Sequence, residues 1–492
     1  MLRILLFALL ILAGGVLLPV FWGPGRPPPG APVIAVPPVG SLDPLEASRT
    51  DDLRLLAALF EPLTRIDPQS QQPVPGLATT WTISADGRTW TFHLNPQARW
   101  RDGSPVSAQH MMAGLEWHRR KGSAFSDLLA GIRDIVIPEP ATLAIHLSKP
   151  QPALGAILAL PVFIPLHHEP TAGDWTEPAS ICGNGPLEVA AYHPRHRLDL
   201  RPSPTYGGPQ PARGPVSLLL VEDPGTALRL YLDHQVDAVL TLPPDIAQDL
   251  QRRGTPGLST GPGWGTELYR LRSGADGLDP RLRRALSLAV DREALCRDVL
   301  HGLNQPAVRL VPGTAVPNRA PDLTEARRLL AELPALPAVA ILVSAARPER
   351  VRVAEYLADR WHRDLGLDIR VESAPAAEAR SRENRGKFDL SRGNLVGDYP
   401  DARTFLDAFR SGAGMNRTGW SDDGYDQLLD KAATTASETA LIAAEDRLLA
   451  AAPIIPLHHN SCLFLVRPGL TGITSNPLEI VRYGGIAWTE SK

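Results

Sequence analysis

The sequence predicts a mixed α/β protein divided into two or more domains. Three observations predict it. From Val33 onward, short strand-like runs alternate with runs whose apolar residues recur at helical spacing. At 492 residues the chain exceeds what one hydrophobic core fills. Finally, 337–374 reads as a complete strand–helix–strand unit: the apolar ILV run, a helix stopped by Gly366, then LDIRVE. The right-handed crossover rule makes those two strands parallel.

Taken in order, VIAVPP from Val33 is a first strand, and Asp51–Phe60 is a helix with an acidic first turn. Thr79–Leu94 is a hairpin, two alternating aromatic/Thr runs around Asp86-Gly87. Ser107 is the N-cap of a helix from Ala108, and Ala141–Pro150 is a further strand. Trp81, Trp90, Trp100 and Trp117 fall close together and predict the core of a small β-rich unit. Asp279–Leu300 is an amphipathic helical pair with basic residues along one side.

Hydrophobic residues at 43% and charged residues at 21% describe a globular chain. A net charge of −3 without a basic domain excludes nucleic acid as the main partner. Cys182, Cys296 and Cys462 are too few and too scattered for a disulfide framework; at most one pair could bridge, and buried free thiols are expected. No G-x-S-x-G, H-E-x-x-H, P-loop or strand-borne G-x-G-x-x-G occurs, so the usual enzyme signatures are missing and neither catalysis nor a cofactor is expected. After Arg3 the uncharged run Ile4–Trp22 is an export signal or an uncleaved membrane anchor, followed by a Pro/Gly-rich linker to residue 32. Either form places the rest of the chain outside the cytoplasm.

Two features invite chemistry. IPLHH occurs twice, ending at His168 and at His459. Paired histidines suggest metal, but neighbours on a strand point to opposite faces, which weakens a shared site. The second feature is LSRGNLVGDYPDARTFL, Leu390–Leu406, where an apolar strand delivers Arg392 and Asp398 toward a turn at Tyr399-Pro400. Asp401 and Arg403, past that proline, are expected at the turn and surface.

These residues carry a family resemblance. PVPGLATTWTISADGRTWTFHLNPQARWRDGSPVSAQHMMAGLEW resembles the signature region of the family 5 extracellular solute-binding proteins, the oligopeptide-, dipeptide- and nickel-binding components of ABC importers. Cys182–Tyr192, Asp279–Leu295, Gly397–Ala432 and Ala452–Ile473 agree in the same order. The resemblance implies a type II periplasmic-binding-protein fold: two α/β lobes joined by a hinge and closing over a ligand, plus an extra small subdomain. It implies lobe I at 33–72, 179–265 and 467–492, the small subdomain at 73–178 and lobe II at 266–466. The hinge would run through Thr266–Arg272 and Leu463–Gly469.

Within the family, the aspartate of the GDY motif, here Asp398, pairs with the free α-amino group of a bound peptide, and an arginine six residues earlier, here Arg392, can meet its carboxylate. Asn394, Tyr399, Trp264 and His459 complete the implied ligand-binding set. A closed cleft strips water from a zwitterion, so each buried end needs an opposite charge. The resemblance thus implies an oligopeptide-like solute, an inner-membrane ABC permease as partner and a monomer in the periplasm. The alternative is a metal, metal-chelate or haem ligand held by His458, His459 or His167. This chain departs from the pattern at Ala402, where the family usually has Pro, at His110, where an acidic residue is common, and in lacking a lipid-attachment cysteine.

Overall fold

The computed structural model describes residues 27–168, 175, 177–313, 320–346 and 348–489. The expected export or anchor segment Ile4–Trp22 lies outside the described residues. Among the described residues, no helix is long and apolar enough to cross a membrane.

Strand β1 (Val33–Val36) is buried throughout, as an apolar run covered on both faces must be. Helix Thr50–Leu59 and the small hairpin β2 (Thr64–Ile66) and β3 (Pro73–Pro75) follow. Then β4 (Ala78–Ile83) and β5 (Thr89–Leu94) pair antiparallel around Asp86-Gly87, with Gly87 at φ +69. With β6 (Ile132–Glu139) and β7 (Thr142–Leu147) they form a four-stranded sheet ordered β4-β5-β7-β6. Trp90, Trp100 and Trp117 are buried here and Trp81 packs against them, a core rather than a platform.

Helix Ala108–Lys121 starts at Ser107 as expected. The Nδ1 of His110 accepts from the Ser107 backbone N–H at 3.0 Å. A carboxylate three residues into a helix commonly does the same in a capping box, so the imidazole replaces the acid without loss of the cap.

Ten further strands are β8 (Leu187–His193), β9 (Arg197–Pro202), β10 (Val216–Leu220), β11 (Ala238–Val239), β12 (Leu258–Leu271), β13 (Gln305–Pro306), β14 (Val339–Ser344), β15 (Ile369–Ala374), β16 (Leu390–Val396) and β17 (Ile454–Val466). They join β1 in one sheet ordered β15-β14-β16-β12-β17-β11-β1-β10-β9-β8, with β13 on β17. The predicted parallel pair is β14 and β15, bridged by helix Pro348–Leu365, with Gly366 at φ +71 ending the helix.

The two lobes divide this sheet. On one side β1, β10 and β11 carry one core on each face. On the other, β14–β16 carry a core containing Leu286 and Trp361 on one face; the opposite face packs with Ala379 and Phe388 at β14 and β15 and, through Leu395 of β16, with a core containing Phe405, Tyr425 and Leu448. β12 and β17 run through both halves. Leu258–Pro262 pairs with Leu465–Ser461 beside β11, and Thr266–Arg270 pairs with His459–Ile454 beside β16. The ladder breaks between them, at 263–265 opposite Asn460. Thr266–Arg272 and Leu463–Gly469 therefore do not mark the change of partners. It falls earlier in each case, because both strands stay extended through the boundary. A Cβ on Gly265 would sit 2.4 Å from the side-chain amide nitrogen of Asn460, so a larger residue here would displace the Asn460 side chain. All three cysteines are free thiols.

Candidate functional site

The chain segment after β16 is held by backbone bonds that leave one side chain unclaimed. Gly397 N–H donates to Trp264 O at 2.9 Å. Trp264 Nε1–H returns a bond to Tyr399 O at 3.0 Å, and Asp398 N–H donates to Thr404 Oγ1 at 3.1 Å. The Trp264 ring meets Phe405 edge-on at 5.4 Å, while Tyr399 is buried in the lobe I core. Between these anchors, the Asp398 carboxylate forms no ion pair with any described residue. Its side chain is open to solvent on one side, yet the protein behind it desolvates the carboxyl and raises its pKa.

Asp398 lines a cavity of about 230 Å³ between the lobes. Val396 and Gly397 flank it on the lobe II side. The opposite wall comes from helix Thr50–Leu59, from Ile66, from Ala156–Pro161 and from the segment 478–482. That wall is mostly small and apolar, with three arginines set into it. Arg54 is buried, bonded to Asp51 at 2.9 Å and to the Glu479 carbonyl, and lies over the Phe464 ring. Arg65 is buried against Glu61 at 3.2 Å and Gln210 at 2.8 Å. Arg482 is half-buried and donates from Nη2 to Ile66 O at 2.9 Å, without a carboxylate partner among the described residues. Burial, then the neighbouring Arg65, pushes its guanidinium down to about 10. Glu479 is held at φ +52, the left-handed region that a non-glycine residue occupies only when its surroundings impose it.

A second hollow, about 380 Å³, lies on lobe II. Its charges are mostly spoken for: Glu372 by Arg370 and Arg382, Asp389 by Arg272. The interlobe cavity instead presents an acid and a base that form no ion pair among the described residues, which is the condition for a charged ligand to gain by entering.

Of the residues singled out in the sequence, Asp398 alone lines this cavity, while Trp264 and Tyr399 fix its turn. Arg392 lies on β16 and is engaged by both carboxylate oxygens of Glu267 on β12. Asn394, on the same face, accepts from Asn460 at 3.3 Å. His459 bonds Thr266 Oγ1 at 2.8 Å, and burial pushes its imidazole down to about 4. His458 is buried on the same strand. Arg403 is not at the surface: it is buried and clamped by Asp401, its guanidinium reaching Gln151 at 3.5 Å because the turn folds under the small subdomain. The two IPLHH repeats stay apart, one in β17 and one in a loop. There, His167 comes within 4.8 Å of ligand atoms of Asp102 and Cys182, and is already bonded to Asp102 and Ser104. Among the described residues, no group of three potential metal ligands includes His458 or His459. Sequence reasoning missed the arginine wall entirely.

One short test follows from the turn. A Cβ on Gly397 would lie 2.3 Å from Trp264 Nε1 and 2.7 Å from Thr404 Cγ2. Gly397→Ala is expected to push Asp398 and the indole apart, cutting ligand affinity about tenfold while leaving the far-ultraviolet circular dichroism unchanged. Titration calorimetry reads the first quantity.

Comparison with known proteins agrees with this architecture. Residues 72–417 match the profile of the bacterial extracellular solute-binding proteins, family 5 middle region. The chain is 27% identical over 486 residues to the periplasmic murein peptide-binding protein MppA of Escherichia coli K12, covering 90% of each. It is 26% identical over 487 residues to the periplasmic oligopeptide-binding protein OppA of the same strain, covering 90% of this chain and 89% of that one. A solved structure of MppA in its unliganded open form superposes with a TM-score of 0.82 at 25% identity, covering 93% of this chain and 97% of that chain. With most of its length inside that profile and the same two-lobed architecture, the chain belongs to the family 5 bacterial extracellular solute-binding proteins.

Proposed function

We propose that the protein captures short peptides with a free amino terminus between its lobes, outside the cytoplasm, and hands them as a monomer to an ABC import permease. The observation that carries this reading is Asp398: an acid without a cation partner among the described residues, on a turn fixed by Trp264 and Thr404, facing a largely apolar wall on the other lobe. An ammonium entering the cleft gains a charge-assisted partner there, and the penalty on the lone carboxylate is relieved at the same step. Small apolar residues opposite it accept side chains with little selectivity, and backbone pairing along β16 would add affinity independent of sequence. The printed names of the relatives, murein peptide and oligopeptide binders, support the same ligand class. Lobe limits near 73, 179, 266 and 467 belong to this proposal, refined by the ladder break at 263–265 and Asn460.

A metal or haem ligand on His458 or His459 has less support. Both rings are buried or bonded within β17 and its neighbours, away from the cavity. The decisive experiment is native mass spectrometry of the protein mixed with a tripeptide pool, offered with free or acetylated amino termini. Capture of the free pool and exclusion of the acetylated one is expected; equal capture would remove the assignment.

A further inference from the structure

Three arginines line the lobe I side of the cavity, and their neighbours differ. Arg54 has Asp51 and Glu479, and Arg65 has Glu61. Arg482 has one protein hydrogen bond, to the carbonyl of Ile66, and no ion pair among the described residues. The acids whose charges reach Arg482 are Asp67, out of ion-pair contact, and Glu61. Glu61 is already taken by Arg65 and by the hydroxyl of Tyr206 at 2.6 Å. With Glu61 engaged by Arg65, and Asp51 and Glu479 by Arg54, Arg482 is left without a direct ion-pair partner among the described residues. Asp398, across the same cavity, likewise forms no ion pair among them.

A cation without an ion pair on one lobe and an anion without one on the other describe a receptor for a molecule with both charges. Burying either group alone is costly, and a guanidinium with free N–H groups in a fork matches a carboxylate in bidentate geometry. We propose that Arg482 is the carboxylate anchor of this cleft, so that the preferred solutes are short chains bearing a free terminal carboxylate as well as a free amine. This rests on the peptide reading above and assigns to lobe I the role that the family resemblance implies for Arg392, which Glu267 already occupies.

The test uses the full exported chain, a tripeptide pool in three forms (free, carboxy-amidated, amino-acetylated), and titration calorimetry on the captured members. The wild type is expected to bind the free form about 10- to 100-fold more tightly than the amidated form. Arg482→Gln should erase that preference by weakening only the free form. Arg482→Lys, which keeps the charge but not the fork, should restore part of it. Thermal melts of both variants establish that they are folded.

Three results would overturn the assignment. If the wild type binds free and amidated pools alike while rejecting the acetylated pool, the carboxylate role falls and the peptide reading survives. If Arg482→Gln weakens both forms equally, the residue acts structurally or as a latch to Asp398. If no pool is bound, the peptide reading fails and the anchor with it.

Discussion

Asp398→Asn is expected to lower affinity for a tripeptide with a free amino terminus by between about 30-fold and 3000-fold, the cost of removing one partner of a desolvated charge pair. Affinity within about threefold of the wild type would show that the ammonium binds elsewhere. The same carboxyl predicts a pH dependence. Burial raises its pKa, so it gains its proton on acidification sooner than an ordinary aspartate does. Affinity should therefore fall as pH drops through that raised value, and Asp398→Asn should flatten the profile. The sign for stability is opposite. A raised carboxyl pKa penalises the folded state once pH has risen through it, so the asparagine variant should melt higher at neutral pH and match the wild type in acid. Better folding with lost binding is the signature of a group kept for its ligand.

Trp361→Ala is expected to cost about 3–5 kcal/mol, the range for deleting a large buried aromatic. Trp361 is 1% exposed on helix Pro348–Leu365, and its indole N–H donates to Leu286 O at 3.0 Å across the lobe II core. Truncation leaves both a cavity and an orphaned carbonyl. Because lobe I has cores of its own, the loss should appear as an early transition in urea confined to lobe II, followed by tryptophan fluorescence. A single unshifted transition would contradict it.

What the sequence disclosed depended on the distance over which a residue acts. Asp86-Gly87, Ser107 and Gly366 declared a turn, a cap and a stop because their partners lie within a few positions, and the apolar spacing of 337–374 declared its unit. Asp398 was legible through the family motif, not through its surroundings. The alternation of β16 placed Arg392 and Asn394 on one face, but it could not reveal that Glu267 of β12 lies diagonally across and claims the guanidinium. The lobe I wall was beyond reach for the same reason. Arg54 and Glu479 stand 425 positions apart, and no local pattern announces that they meet.

That separation also orders how the molecule is assembled. β11 and β17 become neighbours in lobe I only after all of lobe II has been made between them, and Arg467 reaches back 236 positions to the carbonyl of Tyr231. Lobe II draws the strands β14, β15 and β16 from one continuous stretch, so their loop closures are short. A chain growing from its N-terminus thus holds an unfinished first lobe, with one side of β11 unpaired, while the second lobe's strands are already present. Segment 454–489, added after the strands of the second lobe, closes the first sheet and brings Arg482 to the cavity, so the cavity between the lobes is completed only once both lobes are present.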